Sequence, residues 1–168
     1  MHFEIVHEFD IPLDALELAV LSPNLCQKLA HRLPNMESIH QKEHVLKDAC
    51  LERVWSYRAN VRLPTFARAY VTPEMMAWDE RSTYDIKKHT SEWNITPRVK
   101  TEWRKYFASA GTYALTTLER GRTKRTVTGT VELRLPVFRQ VAEKLITSEV
   151  RKIFDAEAET LRELATLV

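Results

Sequence analysis

The last thirty-one residues, Phe138 to Val168, constrain this chain more than any other stretch. Phe138, Ala142, Ile146, Val150, Ile153, Phe154, Leu161, Leu164 and Val168 recur on one broad face at the helical period. Lys144, Ser148, Arg151, Lys152, Asp155, Glu159 and Arg162 occupy the other. No Gly or Pro interrupts the run, so at ~1.5 Å per residue it predicts a helix of about 45 Å. An amphipathic helix of that length needs an equally long apolar surface to lie on. Most of the chain before it alternates as strands do, which makes an antiparallel sheet the expected partner.

The alternation begins at once. In His2 to Phe9, Phe3, Ile5, His7 and Phe9 share one face, and His2, Glu4, Val6 and Glu8 the other. Pro12 suits the first turn of a short helix carrying Leu13, Leu16 and Val20. Ser22-Pro23 reads as an N-cap and first helical position, opening a second helix that runs to about Arg32. Met36 to Lys47 reads as a strand, and Arg53 to Leu63 as a stronger one, with Trp55, Tyr57, Ala59, Val61 and Leu63 on one face. Pro64 stops it, and the spacing of Phe66 and Tyr70 fits a short helix. Met76, Trp78, Glu80, Ser82, Tyr84 and Ile86 make a further alternating face, followed by Ser91, Trp93 and Ile95. Pro97 to Lys105 reads as loop. Tyr106 to Leu118 and Thr123 to Leu135 predict two long strands turning at Arg120-Gly121. Strands segregated from helices give an α+β fold, here one domain spanning residues 1–168.

Composition adds bounds. A chain of 168 residues can bury roughly 70% of its unfolded surface. With 44% hydrophobic and 29% charged residues it is ordinary globular material. Twenty-five basic against twenty-three acidic residues give a net charge of +2, which offers nucleic acid no electrostatic footprint. No apolar run approaches the ~20 residues of a membrane span. Met1-His2-Phe3-Glu4 lacks the basic-then-apolar pattern of an export signal, so the expected location is the cytoplasm. There Cys26 and Cys50 would stay reduced, and Asn94-Ile95-Thr96 would mean little as a glycosylation sequon.

This order of elements resembles the START and polyketide-cyclase-like superfamily, the helix-grip fold, and within it an uncharacterised bacterial family. The resemblance rests on Phe3-Glu4-Ile5-Val6-His7-Glu8-Phe9 and on Leu63-Pro64-Thr65-Phe66-Ala67-Arg68. It continues in Thr128-Gly129-Thr130-Val131, in Glu149-Val150-Arg151 and in Asp155-Ala156-Glu157. Where relatives carry a Gly pair after the last strand, this chain has Val137-Phe138-Arg139-Gln140, so the helix is entered differently. The resemblance implies a hydrophobic-ligand pocket beneath the long helix. The superfamily contains carriers, enzymes and regulators, so the fold leaves function open.

Read on their own, the residues name candidate walls for such a pocket. Trp55, Tyr57, Trp78, Trp93 and Tyr113 fall in inward registers and join apolar area to a polar tip. Three ionisable residues share those registers: His7, Glu80 and Glu157. A charge in a core costs several kcal/mol unless paired, so each requires a partner, a ligand or a route to water. For Glu157 the alternatives are an Arg reaching in from the sheet or a polar spot that meets a ligand. Arg120, Arg122, Lys124 and Arg125 cluster at a hairpin tip, as a solvated turn or a contact for anionic lipid or a partner protein. His40 and His44 lack a third metal ligand, and with three Gly there is no phosphate-cradling loop; neither metal nor cofactor is expected. The readings that follow are binding of a small hydrophobic or amphipathic molecule such as a lipid, a cyclase- or dehydratase-type enzyme, and an interaction module with a filled core.

Overall fold

The computed structural model describes residues 1–60, 62–65, 68, 72–134 and 139–167. Among these, seven strands form one curved antiparallel sheet in the order β1-β7-β6-β5-β4-β3-β2. The strands are β1 (His2–Phe9), β2 (Met36–Lys47), β3 (Cys50–Ala59), β4 (Ala77–Asp85), β5 (Thr90–Pro97), β6 (Phe107–Thr117) and β7 (Thr123–Leu133). The helices are α1 (Leu13–Leu21), α2 (Leu25–Ala30), a single turn α3 (Thr101–Arg104) and the long α4 (Arg139–Ala165). The first and last strands in the sequence are neighbours, so the two short helices cross from one edge of the sheet to the other, β2.

Helix α4 follows the expected face. Val150, Phe154, Glu157, Ala158, Leu161, Leu164 and Ala165 are buried, with Ile146 and Ile153 partly so. It packs most closely on α1, α2, β7 and β1. It also seals the edge of the sheet: Arg151 donates to the Glu4 carbonyl at 3.2 Å and Arg162 to the Glu8 carbonyl at 2.9 Å. An edge strand with two of its outward carbonyls occupied is a poorer template for pairing with another chain. Phe138 and Val168, expected at the two ends of this helix, lie outside the described residues, as do Val61, Phe66 and Tyr70.

Several boundaries differ from expectation for local reasons. The second helix is shorter than Pro23 to Arg32, because Ser22 closes α1 by donating its backbone N–H to the Ala19 carbonyl. Part of the loop before β6 is the single turn α3, and Pro73–Met76 forms a 3-10 turn, so the strand containing Trp78 starts at Ala77. The β6–β7 hairpin turns at Arg120 and Gly121, both with positive φ (60° and 71°).

The two other glycines explain how the sheet floor is packed. Phe3, Gly129, Gly111 and Trp93 pair in one row across β1, β7, β6 and β5. A Cβ at Gly129 would lie 2.6 Å from Trp93 Cζ2 and 2.7 Å from Phe3 Cζ. One at Gly111 would collide with the Thr128 carbonyl and the same indole. Removing both side chains lets the Trp93 ring lie along the sheet towards Phe3, with ring centroids 6.1 Å apart. Phe154 of α4 then rests against Trp93 at 5.7 Å.

Candidate functional site

The inner face of the sheet is read most directly along its rows. In one, Trp55, Glu80, Ile95, Ser109 and Val131 stand opposite one another across β3 to β7. Beside it, Arg53, Ser82 and Trp93 continue to the glycine pair. On the other side Tyr57 pairs with Trp78, their rings stacked at 5.2 Å and 9°. Each of these strands alternates with period two, so one register fixes which side chains meet beneath α4.

All eight pocket candidates point to this inner side. Trp55, Tyr57, Trp93 and Tyr113 are buried, whereas Trp78 and Glu80 keep partial exposure although they face the same way. Met36, Ile95, Ile146 and Ile153 are also inward-facing and partly exposed. The remaining tryptophan, Trp103, is 50% exposed and takes no part. Three polar atoms in the floor, Trp55 Nε1, Trp93 Nε1 and Ser109 Oγ, are buried and have no protein partner among the described residues. Buried donors normally find an acceptor.

A hollow of about 230 Å³ opens at one side, between the α2–β2 turn and α4. Arg32, Pro34, Glu149 and Lys152 form its rim, and Met36, Ile153 and Ala156 its inner wall. A larger hollow of about 710 Å³ lies outside, against Asp10, Pro12 and Glu119 to Arg122; it has no aromatic lining.

Two buried arginines organise the interior, and neither is expected there from charge patterning. Arg125, expected among the exposed hairpin-tip bases, is instead 0% exposed. The reason is the register of β7, where Thr123, Arg125, Val127 and Val131 share the inner face. Arg125 donates through Nη1 to Glu157 Oε2 at 2.8 Å and through Nη2 to the Phe154 carbonyl at 2.6 Å. Nη2 also lies 3.3 Å from His7 Nδ1. His7 Nε2 then donates to Asp155 Oδ1 at 2.8 Å. An imidazole that accepts from a guanidinium at Nδ1 and donates at Nε2 is the neutral tautomer. Burial and the Arg125 charge together hold the His7 pKa below its ordinary value.

Arg53, buried on β3, donates to Ser82 Oγ and to the Val20 carbonyl, both at 3.3 Å, and stacks 4.4 Å over Trp55. Val20 is in the last turn of α1, so the guanidinium meets an otherwise orphaned carbonyl at the negative end of the helix. The signal is legible in the sequence: Arg53 alternates with Leu51, Trp55 and Tyr57. Glu17 is equally legible at helical spacing from Leu13, Leu16 and Val20. Its carboxylate accepts from Tyr84 Oη at 2.6 Å and from His89 Nδ1 at 2.8 Å.

Glu80 has a different environment. It forms no ion pair among the described residues, and its hydrogen-bond partner is the Tyr57 side chain. Burial, then the Glu157 charge across the interior, push its carboxyl up to about 7, against the opposing pull of Arg53 and Tyr57. Burial likewise raises the Tyr57 phenol and lifts the Cys26 thiol to about 11. A carboxyl poised near neutrality can donate or accept a proton, or receive a cation.

A curved antiparallel sheet closed over a long C-terminal helix defines a helix-grip α+β protein. The chain belongs to the family described as a protein of unknown function, DUF2505, which matches residues 4–164. No curated protein matches the sequence. Among solved structures, it is similar to TTHA0849 from Thermus thermophilus, at 17% identity and a TM-score of 0.63, covering 99% of this chain and 98% of that one. It is similar to the Zhui aromatase/cyclase from Streptomyces sp. R1128, at 14% identity and a TM-score of 0.67, covering 99% and 93%. Norcoclaurine synthase from Thalictrum flavum resembles it at 14% identity and a TM-score of 0.66, covering 99% and 86%. Identities this low establish the shared fold alone.

Proposed function

We propose that the protein binds a small hydrophobic or amphipathic molecule, such as a lipid, between the inner face of the sheet and α4. The observation that carries this reading is a set of side chains, Trp78, Glu80, Ile95, Ile146 and Ile153, that face inward by register or helix phase and yet are only partly buried. A tightly filled core would bury them. Trp55, Tyr57, Trp93 and Tyr113 supply the apolar walls, and His7 and Glu157 border the space through Arg125. The unpartnered Trp55 and Trp93 N–H groups offer donors to a ligand oxygen. The hollow beside Met36 and Ile153 serves as the entrance. Fold relatives that are an aromatase/cyclase and a norcoclaurine synthase are consistent with small-molecule handling on this scaffold.

Glu80 favours a second reading, an enzyme of the cyclase or dehydratase type, because a carboxyl near pH 7 suits general acid–base work. The hairpin-tip bases Arg120, Arg122 and Lys124 remain candidates for contact with anionic lipid or a partner protein, although Arg122 is engaged with Glu8 at 3.0 Å. Unpaired Cys26 and Cys50 fit a reducing cytoplasm, and no described helix is long and apolar enough to cross a membrane.

Mass spectrometry of an organic extract of the purified protein tests the binding reading. A stoichiometric small molecule, lost on substituting Trp55 and Trp78 by Ala, is the expected result. An empty extract, with no tryptophan fluorescence change on adding long-chain probes, points to an interaction module instead.

A further inference from the structure

The inner ionic groups divide into those already matched and one that is not. Arg125 and Glu157 neutralise one another at 2.8 Å. Glu17 is served by His89 and Tyr84. Arg53 is turned towards the carbonyl end of α1 and stacked on Trp55. Glu80, partly exposed on the inner face, is hydrogen-bonded to the Tyr57 side chain and forms no ion pair among the described residues. Its surroundings are aromatic: Trp55 stands directly opposite on β3, Trp78 lies two residues away on the same face, and Tyr57 stacks on Trp78. A carboxylate set among aromatic faces is the chemistry that receives an ammonium group, by charge and by the negative faces of the rings.

We propose that Glu80, flanked by Trp55, Tyr57 and Trp78, receives the cationic nitrogen of the ligand, so that the molecule bound is an amphipathic amine. This rests on the binding reading above and names the head group. A ligand carboxylate would meet a site with no free cation among the described residues and add negative charge beside Glu80, and a neutral molecule would leave Glu80 protonated and gain nothing from its ionisation. The groups that face Glu80 are Arg53 and Tyr57 from β3, Glu157 from α4 and Cys26 from α2. Arg53 alone among them is cationic, and it stands farther than 4 Å away, held by Val20 and Ser82. Since burial keeps Glu80 largely protonated below neutrality, an arriving ammonium displaces that proton.

The test compares dodecyltrimethylammonium, dodecanol and dodecanoate on the full chain, at concentrations below micelle formation, by tryptophan fluorescence and calorimetry. The ammonium should bind about tenfold more tightly than the alcohol, with dodecanoate weakest. At pH 6, calorimetry in two buffers of different ionisation enthalpy should show about one proton released per ammonium bound. Glu80→Gln should bring ammonium and alcohol to within about twofold of each other and abolish the release. Equal binding of alcohol and ammonium by the wild type, tightest binding of dodecanoate, or a preference retained in Glu80→Gln overturns the amine assignment while leaving the pocket intact. Failure of all three probes overturns the pocket as well. The wild-type comparison decides the matter even should Glu80→Gln fail to fold.

Discussion

The Arg125 guanidinium is fully enclosed and donates to Glu157 at 2.8 Å, tying the last strand of the sheet to the middle of the long helix. A buried ion pair is weak evidence of net stabilisation, because both partners lose their hydration. What it does fix is position. With Arg125 also bound to the Phe154 carbonyl and touching His7, the helix can neither slide nor rotate on β1 and β7 without stranding a charge.

Removing one partner should therefore be far worse than removing both. Glu157→Ala leaves Arg125 buried and is expected to cost about 3–5 kcal/mol. Arg125→Leu combined with Glu157→Leu should recover most of that loss. Urea unfolding of the two single variants and the double variant measures the difference. Equal losses in single and double variants would show that the pair is dispensable.

Much of this arrangement is legible in the sequence, since period-two alternation alone places Trp55, Trp78, Glu80 and Trp93 on one face. The long helix is legible too, because its apolar face survives over many turns. Expectation and structure part where charge is allowed to overrule register. Arg125 has three basic neighbours in sequence, and they suggest a solvated tip, yet its position two residues before Val127 puts it inside. Glu17 and Arg53 escape notice for the same reason. That an Arg from the sheet would meet Glu157 is one of the two expectations for that carboxylate, but nothing local names Arg125 as the partner, because the two elements are far apart in sequence. The two sheet glycines are likewise opaque, because their purpose is to admit an indole from another strand.

Those glycines can be told apart by substitution. Gly129→Ala presses on Trp93 and Phe3, both side chains, and should cost about 1–3 kcal/mol. Gly111→Ala also meets the Thr128 backbone carbonyl, which cannot move aside without breaking the sheet, so its loss should be greater. Adding Trp93→Leu should rescue Gly129→Ala more than Gly111→Ala. Thermal melts of the four variants check the order, and equal rescue would count against this account of the floor.

Tyr84 tests the attachment of α1. Its hydroxyl donates to the buried Glu17 carboxylate at 2.6 Å, and burial together with that neighbour raises the phenol pKa. Tyr84→Phe leaves Glu17 with His89 alone and should destabilise the protein by about 1–3 kcal/mol. Hydrogen exchange should show the loss first in α1. A uniform loss across the sheet would place the role of Tyr84 in packing instead.

The last prediction concerns pH, where Glu80 and His7 pull in opposite directions. The folded state holds Glu80 at about 7, above its ordinary value of 4.5. As pH rises between those values the unfolded chain releases this proton and the folded one keeps it, so Glu80 makes stability fall. The slope approaches roughly 1.4 kcal/mol per pH unit at most and vanishes above about pH 7. For His7 the folded pKa lies below its ordinary 6.5, so the stability it contributes is present above that value and is lost as pH falls. Glu80→Gln should therefore gain on the wild type as pH is raised from 5 to 7, and His7→Gln should lose less than the wild type as pH is lowered from 7 to 5. Urea unfolding at half-unit intervals separates the two slopes. A Glu80→Gln curve parallel to the wild type would show that Glu80 reaches bulk water, and with it the enclosed carboxyl on which both the acid–base reading and the amine site depend would be lost.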